Sequence, residues 1–280
     1  MSLAEPFAVS ADGTSIHVIE TGRGHPIVVL HGGMQAAMRW DDVAGRLSPP
    51  WRTVAIERRH YGRSGAPRSP HSIDREVEDT AAVLAAIGEP AILLGHSSGG
   101  AVALEAALAL GNDLAALIVY EPPLQRGQLF GGQSQERAEA ALAAGDRDEC
   151  LRIFFTDIVQ FDEPSVTFMR TSPAFAGGWG EMKRLAPAQM EDNRGIRALG
   201  AGIDRYARIA VPTLLIKGDQ SPQHLQDGVD ALHALVAGSV VETFVGHGHG
   251  ANLEAPAELA AAIDRFATKV FATTRQVAVG

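Results

Sequence analysis

Residues 95–99 read Gly-His-Ser-Ser-Gly, directly after the apolar run 91–94 and directly before an alanine-rich stretch of helical character. A serine on a sharp turn from strand to helix needs very small residues two places to either side, because its backbone is strained and closely packed. Gly95 and Gly99 meet that need around Ser97. Such a turn exposes the hydroxyl at a helix N-terminus, whose partial positive charge favours a developing anion. The implied chemistry is nucleophilic catalysis, which asks for a general base and for a carboxylate to orient that base. An ordinary glycine-rich turn and a phosphate cradle are the competing uses of such a sequence. The phosphate cradle is disfavoured, since no P-loop lysine follows and the spacing departs from G-x-G-x-x-G.

Candidate partners lie far along the chain. The segment 245–256, VGHGHGANLEAP, offers two histidines, His247 and His249. Two carboxylates follow buried-type strands at once: Glu121 after ALIVY and Asp219 after LLIKG. Short loops at the carboxyl ends of such strands are where α/β proteins keep their chemistry. Glu121 has a bland alternative as a solvent-facing residue beside Pro122 and Pro123, and Asp219 as a residue that only shapes its loop. The residue types leave both acids open.

The elements that must position these groups follow from the hydropathy pattern. Residues 5–20 read as a strand pair turning at Asp12-Gly13. Segments 26–33, 51–65, 91–94, 114–123, 211–218 and 240–250, each an apolar strand with or without the loop that follows it, alternate with helical segments at 38–47, 72–87, 99–110, 222–237 and 256–271. Strands apolar on both faces, alternating with helices, imply a mainly parallel sheet covered on both sides. Residues 124–205 break the rhythm; they carry helix-compatible patches and no convincing strand, which predicts a helical insertion over the carboxyl edge of the sheet. Ser221-Pro222 predicts an N-cap followed by proline at the first helical position.

Composition narrows the function classes. The 280 residues are 46% hydrophobic and 20% charged, as in a soluble globular protein. A formal net charge of −9 argues against sequence-blind nucleic-acid binding, which needs a basic surface. The single cysteine, Cys150, excludes an internal disulfide framework and any cysteine-rich metal site, and it predicts a packing or surface thiol. Neither a signal peptide nor a membrane span is visible, so the cytoplasm is the default compartment and a small molecule the expected partner. Oligomeric state is left open.

Taken together, the motifs resemble the α/β-hydrolase superfamily over almost the whole length. The resemblance implies a mostly parallel eight-stranded sheet with helices on both faces, formed by residues 1–123 and 206–280, and a helical cap, 124–205, inserted after the sixth strand. LHGGMQAAMRW looks like the loop after the family's third strand, which implies Gly33 and Ser98 as the backbone N–H donors of an oxyanion hole. ERRHYGRSG is similar to the family's D-x-R-G-x-G-x-S turn, with Glu57 for the aspartate and His60 for the first glycine. The family's G-x-G-H pattern, with Glu five and Pro seven residues on, falls on Gly246, Gly248, His249, Glu254 and Pro256. It implies His249 as the base and leaves His247 at a variable position. The usual acid position, three residues beyond the glycine ending the 211–218 strand, holds Ser221. A variant seen in some haloalkane dehalogenases places a glutamate one strand earlier, which falls on Glu121. Glu121 is therefore the expected acid and Asp219 the second candidate.

With Ser97 in place of the dehalogenases' aspartate, and Gly33 where their halide-binding asparagine falls, the resemblance implies acyl transfer. Hydrolysis of an ester, lactone or thioester of a small hydrophobic substrate is the expected activity, with no cofactor and no metal ion. Carbon–carbon bond hydrolases and perhydrolases share the triad, and a non-catalytic ligand-binding member of the fold is the alternative of a different class. Met34, His60, Phe130, Phe155 and Trp179 are the expected pocket residues, with Phe154, Phe161, Phe168 and Phe175 as further apolar candidates from the insertion.

Overall fold

The apolar runs become the strands of one sheet in a computed structural model, which describes residues 5–64, 70–172 and 176–277. Its strands are β1 (Ala8–Val9), β2 (Ser15–Gly22), β3 (His25–Leu30), β4 (Trp51–Glu57), β5 (Ala91–His96), β6 (Leu114–Tyr120), β7 (Thr213–Gly218) and β8 (Val240–Phe244). They lie in the order β1-β2-β4-β3-β5-β6-β7-β8. β1 and β2 form the antiparallel hairpin expected at Asp12-Gly13, and β2 pairs antiparallel with β4. Every pair from β4 to β8 is parallel, so each connection must cross over through other structure.

Side-chain alternation splits each inner strand between two apolar layers. Val28, Leu93, Leu117 and Leu215 face one layer, covered by α2 (Ile73–Ile87), α3 (Ser98–Leu110) and α8 (Gln223–Leu235). Ile27, Ile92, Ile118 and Leu214 face the other, covered by α1 (Asp41–Leu47) and α10 (Pro256–Val277). All these side chains are buried, and each contributes about 1.5–3 kcal/mol of transfer free energy. Helix α2 starts and stops where its sequence says. The Ser72 hydroxyl accepts from the Arg75 N–H, and Gly88 takes the left-handed conformation that ends the helix.

Between β6 and β7 lie α4 (Gly132–Ala143), α5 (Arg147–Ile153) with a π-helical turn at Phe154–Ile158, α6 (Glu163–Thr171) and α7 (Ala176–Ala198). No strand occurs among the described residues of this segment. It has its own apolar cluster, including Leu151, Phe155, Trp179 and Met190, into which Met34 and Tyr61 insert from loops of the sheet. Pro187 sits inside α7 and cannot donate to the Lys183 carbonyl, which accepts instead from Arg147 Nη1 at 3.4 Å. Among the described residues no helix is long and apolar enough to cross a membrane. Phe175, singled out in the sequence, lies outside the described residues.

Candidate active site

Ser97 occupies the turn between β5 and α3 with φ 53° and ψ −125°, a conformation that costs a non-glycine residue energy and needs a rigid frame to hold it. The frame is close-packed glycine. A β-carbon on Gly95 would lie 2.5 Å from the Ala103 side chain, and one on Gly99 would lie 2.3 Å from the Leu30 carbonyl oxygen. Ser97 N–H donates to the Tyr120 carbonyl at 2.9 Å, fastening the turn to β6. Although Ser97 stands at the N-cap of α3, its side chain makes no capping bond. The hydroxyl is left for other work.

Glu121 and His249 meet over the carboxyl edge of the sheet. The His249 imidazole donates from Nδ1 to Glu121 Oε2 at 2.6 Å, and Glu121 is fully buried. The second carboxylate oxygen accepts the Gly218 N–H at 2.7 Å, so both oxygens are engaged. Glu121 reaches this position with φ 43°, which turns its side chain across the end of β7. The loop bearing His249 is fixed from below by Tyr120, whose hydroxyl donates to the Gly248 carbonyl and accepts the Ala251 N–H at 3.2 Å. His96 Nε2 donates to the His249 carbonyl at 3.0 Å, and burial, then the nearby His249, pushes its pKa well down. A neutral His96 stacks on Tyr120 and serves as scaffold. No hydrogen bond joins Ser97 Oγ to His249 among the described residues; both line the same cleft, and such contacts often tighten only with substrate.

Asp219 does different work. Its Oδ1 accepts the Gly246 N–H at 2.7 Å, while its own N–H donates to the Phe244 carbonyl. It staples the loop after β7 to the turn before His249. The expected N-cap at Ser221 is corrected: Pro222 is the N-cap of α8, extended at ψ 136°, and the helix starts at Gln223. Ser221 is held in the turn after β7 by its N–H to the Gly218 carbonyl, and its buried hydroxyl has no partner.

On the other side of Ser97, the Gly32-Gly33 loop abuts the nucleophile turn; a β-carbon on Gly32 would stand 3.0 Å from the Ser97 β-carbon. Ser98 begins α3, so its backbone N–H is among those a helix leaves unpaired. Its hydroxyl donates to Asp192 Oδ2 at 3.0 Å and accepts from Arg58 Nη1 at 2.9 Å. Arg58 also makes two 2.6 Å bonds to Glu76 and one of 3.1 Å to Asp192, tying α2 and α7 together beneath Ser98. Burial opposes the Arg58 charge, but Asp192 and Glu76 outweigh it and raise the pKa. Burial likewise disfavours a charged Glu76, and Arg58 and His71 overcome it. His31, buried beside Arg58, is pushed down to about 3 by burial and then by that charge. It is neutral, with Nδ1 donating to the Gly32 carbonyl at 2.8 Å.

His71, Glu76 and Asp192 form the one group among the described residues with metal-ligand spacing. The Arg58 guanidinium already bonds both carboxylates, so a metal ion would meet a resident positive charge. Cys150 is buried, and burial, then Asp146 and Glu139, pushes its thiol up to about 11. It stays a protonated packing residue.

The cleft above Ser97 holds about 330 Å³ of space between atoms, open solvent at its mouth included. Of the expected pocket residues, Phe130 lines it. Phe155 and Trp179 lie in the apolar cluster of the segment between β6 and β7, which Met34 joins from the sheet, while Phe154 takes a place in the cleft wall. Phe161 approaches the His249 ring at 6.3 Å, and Phe168 points to solvent. His60 is set back beside His71, at 5.5 Å between rings, with a pKa lowered by burial and then by His71. It adopts φ 70°, a glycine-like conformation at the place where the resemblance expects glycine. Three polar residues of the wall escaped the sequence reading: Gln189, Asn193 and His224. Gln189, Asp192 and Asn193 share the i, i+3, i+4 spacing of one helix face, a polar stripe that does not reveal whether it faces water or the interior.

The sequence matches the alpha/beta hydrolase family over residues 27–262. It is 26% identical over 260 residues to a non-heme haloperoxidase of Rhodococcus erythropolis, covering 88% of this chain and 93% of that protein. An alpha/beta hydrolase from Sphaerobacter thermophilus is similar in structure with a TM-score of 0.81 at 29% identity, covering 92% of this chain and 98% of the other. An esterase from a Rhodococcus species has a TM-score of 0.74 at 26% identity, covering 96% of this chain and 100% of its own. On the sheet order, the cleft at its carboxyl edge and these matches, the chain belongs to the alpha/beta hydrolase family.

Proposed function

We propose that the protein is a carboxylesterase-like serine hydrolase acting on an ester, lactone or thioester of a small substrate. The observation that carries this reading is the 2.6 Å bond from His249 Nδ1 to the buried Glu121, in a cleft shared with a serine whose hydroxyl caps nothing. Glu121 holds the imidazole with Nδ1 protonated, which leaves Nε2 as the lone-pair nitrogen that takes the Ser97 proton. Ser97 Oγ attacks the substrate carbonyl, and the N–H groups of Gly33 and Ser98 receive the negative charge on its oxygen. The imidazolium gives its proton to the leaving alcohol or thiol, forming the acyl-enzyme. His249 then draws a proton from water, the hydroxide adds to the acyl carbon, and Ser97 leaves with the proton returned. Phe130, Phe154, Val159 and Leu225 give the cleft an apolar wall suited to a short hydrophobic group.

The test is incubation with a fluorophosphonate, followed by peptide mass analysis and by assays on short p-nitrophenyl esters. A covalent adduct on Ser97 and hydrolysis lost in Ser97→Ala are the expected results. No adduct and no hydrolysis would leave a non-catalytic ligand-binding protein.

A further inference from the structure

A row of amides leads from the surface of the insertion to the wall of the cleft that holds Ser97, and the acyl-transfer steps do not use it. It starts at Glu139, which accepts from Arg194 Nε and from Gln135 Nε2, each at 2.8 Å. A carboxylate accepts only, so this contact fixes which end of the Gln135 amide faces it. Gln135 Oε1 then accepts from Asn193 Nδ2 at 2.8 Å, and Asn193 Oδ1 accepts from Gln189 Nε2 at 2.9 Å. Each amide sets the polarity of the next. The row therefore ends with Gln189 presenting a carbonyl oxygen, where a free glutamine could have presented either end.

That oxygen is placed unusually. Gln189 is 2% exposed, and its Oε1 has no hydrogen-bond partner. It lies 1.7 Å from where a β-carbon on Gly33 would stand, and Gln189 shares the cleft wall with Ser97, Ser98 and His249. A buried carbonyl without a donor is unfavourable. Beside Gly33 it is doubly so, because its dipole opposes negative charge on a substrate oxygen held by the Gly33 N–H. A donor on the substrate, placed between the two oxygens, removes both conflicts.

We propose that Gln189 selects the acyl group: its Oε1 accepts a hydrogen bond from an N–H or O–H on the carbon next to the scissile carbonyl. The preferred acyl groups are then α-hydroxy or α-amido acids in place of plain alkanoates. The inference rests on the acyl-transfer reading of Ser97 and names the substrate class for it.

The test compares phenyl esters of 2-hydroxybutanoic and 2-methoxybutanoic acid, which share an electron-withdrawing oxygen and differ in the donor. N-acetylalanine and N-acetyl-N-methylalanine phenyl esters ask the same of an N–H. The hydroxy ester or the N–H amide should exceed its capped partner in kcat/KM by about tenfold or more, and Gln189→Met should bring that ratio close to one. Asn193→Leu, which releases the Gln189 amide from its fixed polarity, should lower the ratio as well and serves if Gln189→Met does not fold. Equal rates for both capped pairs in the wild type, or ratios unchanged in the variants, overturn the proposal. If Ser97 takes no fluorophosphonate and no ester is turned over, the acyl-transfer reading fails separately. Titration of the same esters into Ser97→Ala then decides, and equal affinity for donor and capped forms overturns the Gln189 assignment.

Discussion

Two carboxylates leave the same edge of the sheet on adjacent parallel strands, each one residue past its strand: Glu121 after β6 and Asp219 after β7. One is fully buried, with one oxygen on His249 and the other on the Gly218 N–H. The other is half-buried and spends its Oδ1 on the Gly246 N–H and on Gln220. The difference lies in the backbone. Glu121 sits at φ 43° and swings its side chain over the end of β7, into the corner between the Gly218 N–H and the His249 ring. Asp219 is left outside that corner, shaping the turn that carries the histidine. Position after a strand makes a carboxylate a candidate; the local turn decides which one meets the imidazole.

Substitutions separate the roles of the two carboxylates. The largest effect is expected for Glu121→Gln, which keeps the shape and cannot stabilise the imidazolium; kcat on short p-nitrophenyl esters should fall by about 10³–10⁴. Glu121→Asp keeps the charge but stops short of His249, and a misplacement of about 1 Å should cost on the order of 10² in kcat. Tyr120→Phe removes the hydroxyl that bonds the Gly248 carbonyl and the Ala251 N–H. It should lower stability by about 1–3 kcal/mol in thermal or urea unfolding, with a loss in kcat no greater than about tenfold. Smallest of all, Asp219→Asn keeps an acceptor for Gly246 and should leave kcat within about threefold. A kcat loss from Asp219→Asn larger than that from Glu121→Gln would invert the assignment.

Much of the fold was legible because its signals are local. Both-face apolar runs such as ILL and LIV mark buried parallel strands, and Ser72 and Gly88 mark the ends of α2 through their own capping chemistry. The nucleophile turn was legible for the same reason, since Gly95 and Gly99 are demanded by contacts within a few residues or with the adjoining strand. Ser221 shows the limit of such reasoning. Serine before proline is a sound capping signal, yet Pro222 took an extended ψ and the helix began one residue later. The cleft wall was hardest to read. Phe155 and Trp179 differ from Phe130 and Phe154 only in which way the insertion turns them. The burial of Gln189 and Asp192 depends on α7 docking against Ser98 and Arg58, from distant parts of the chain. A polar stripe on a helix looks the same whether it faces water or a buried guanidinium.

At the centre of this reading is the proposal that Glu121, one residue past β6, activates the serine. Its most direct test is the rate at which a fluorophosphonate labels Ser97 in Glu121→Gln and in Asp219→Asn, measured side by side with the wild type. Labelling of Asp219→Asn is expected at close to the wild-type rate and of Glu121→Gln slower by orders of magnitude. Wild-type labelling in Glu121→Gln, with the loss in Asp219→Asn instead, would contradict the proposal.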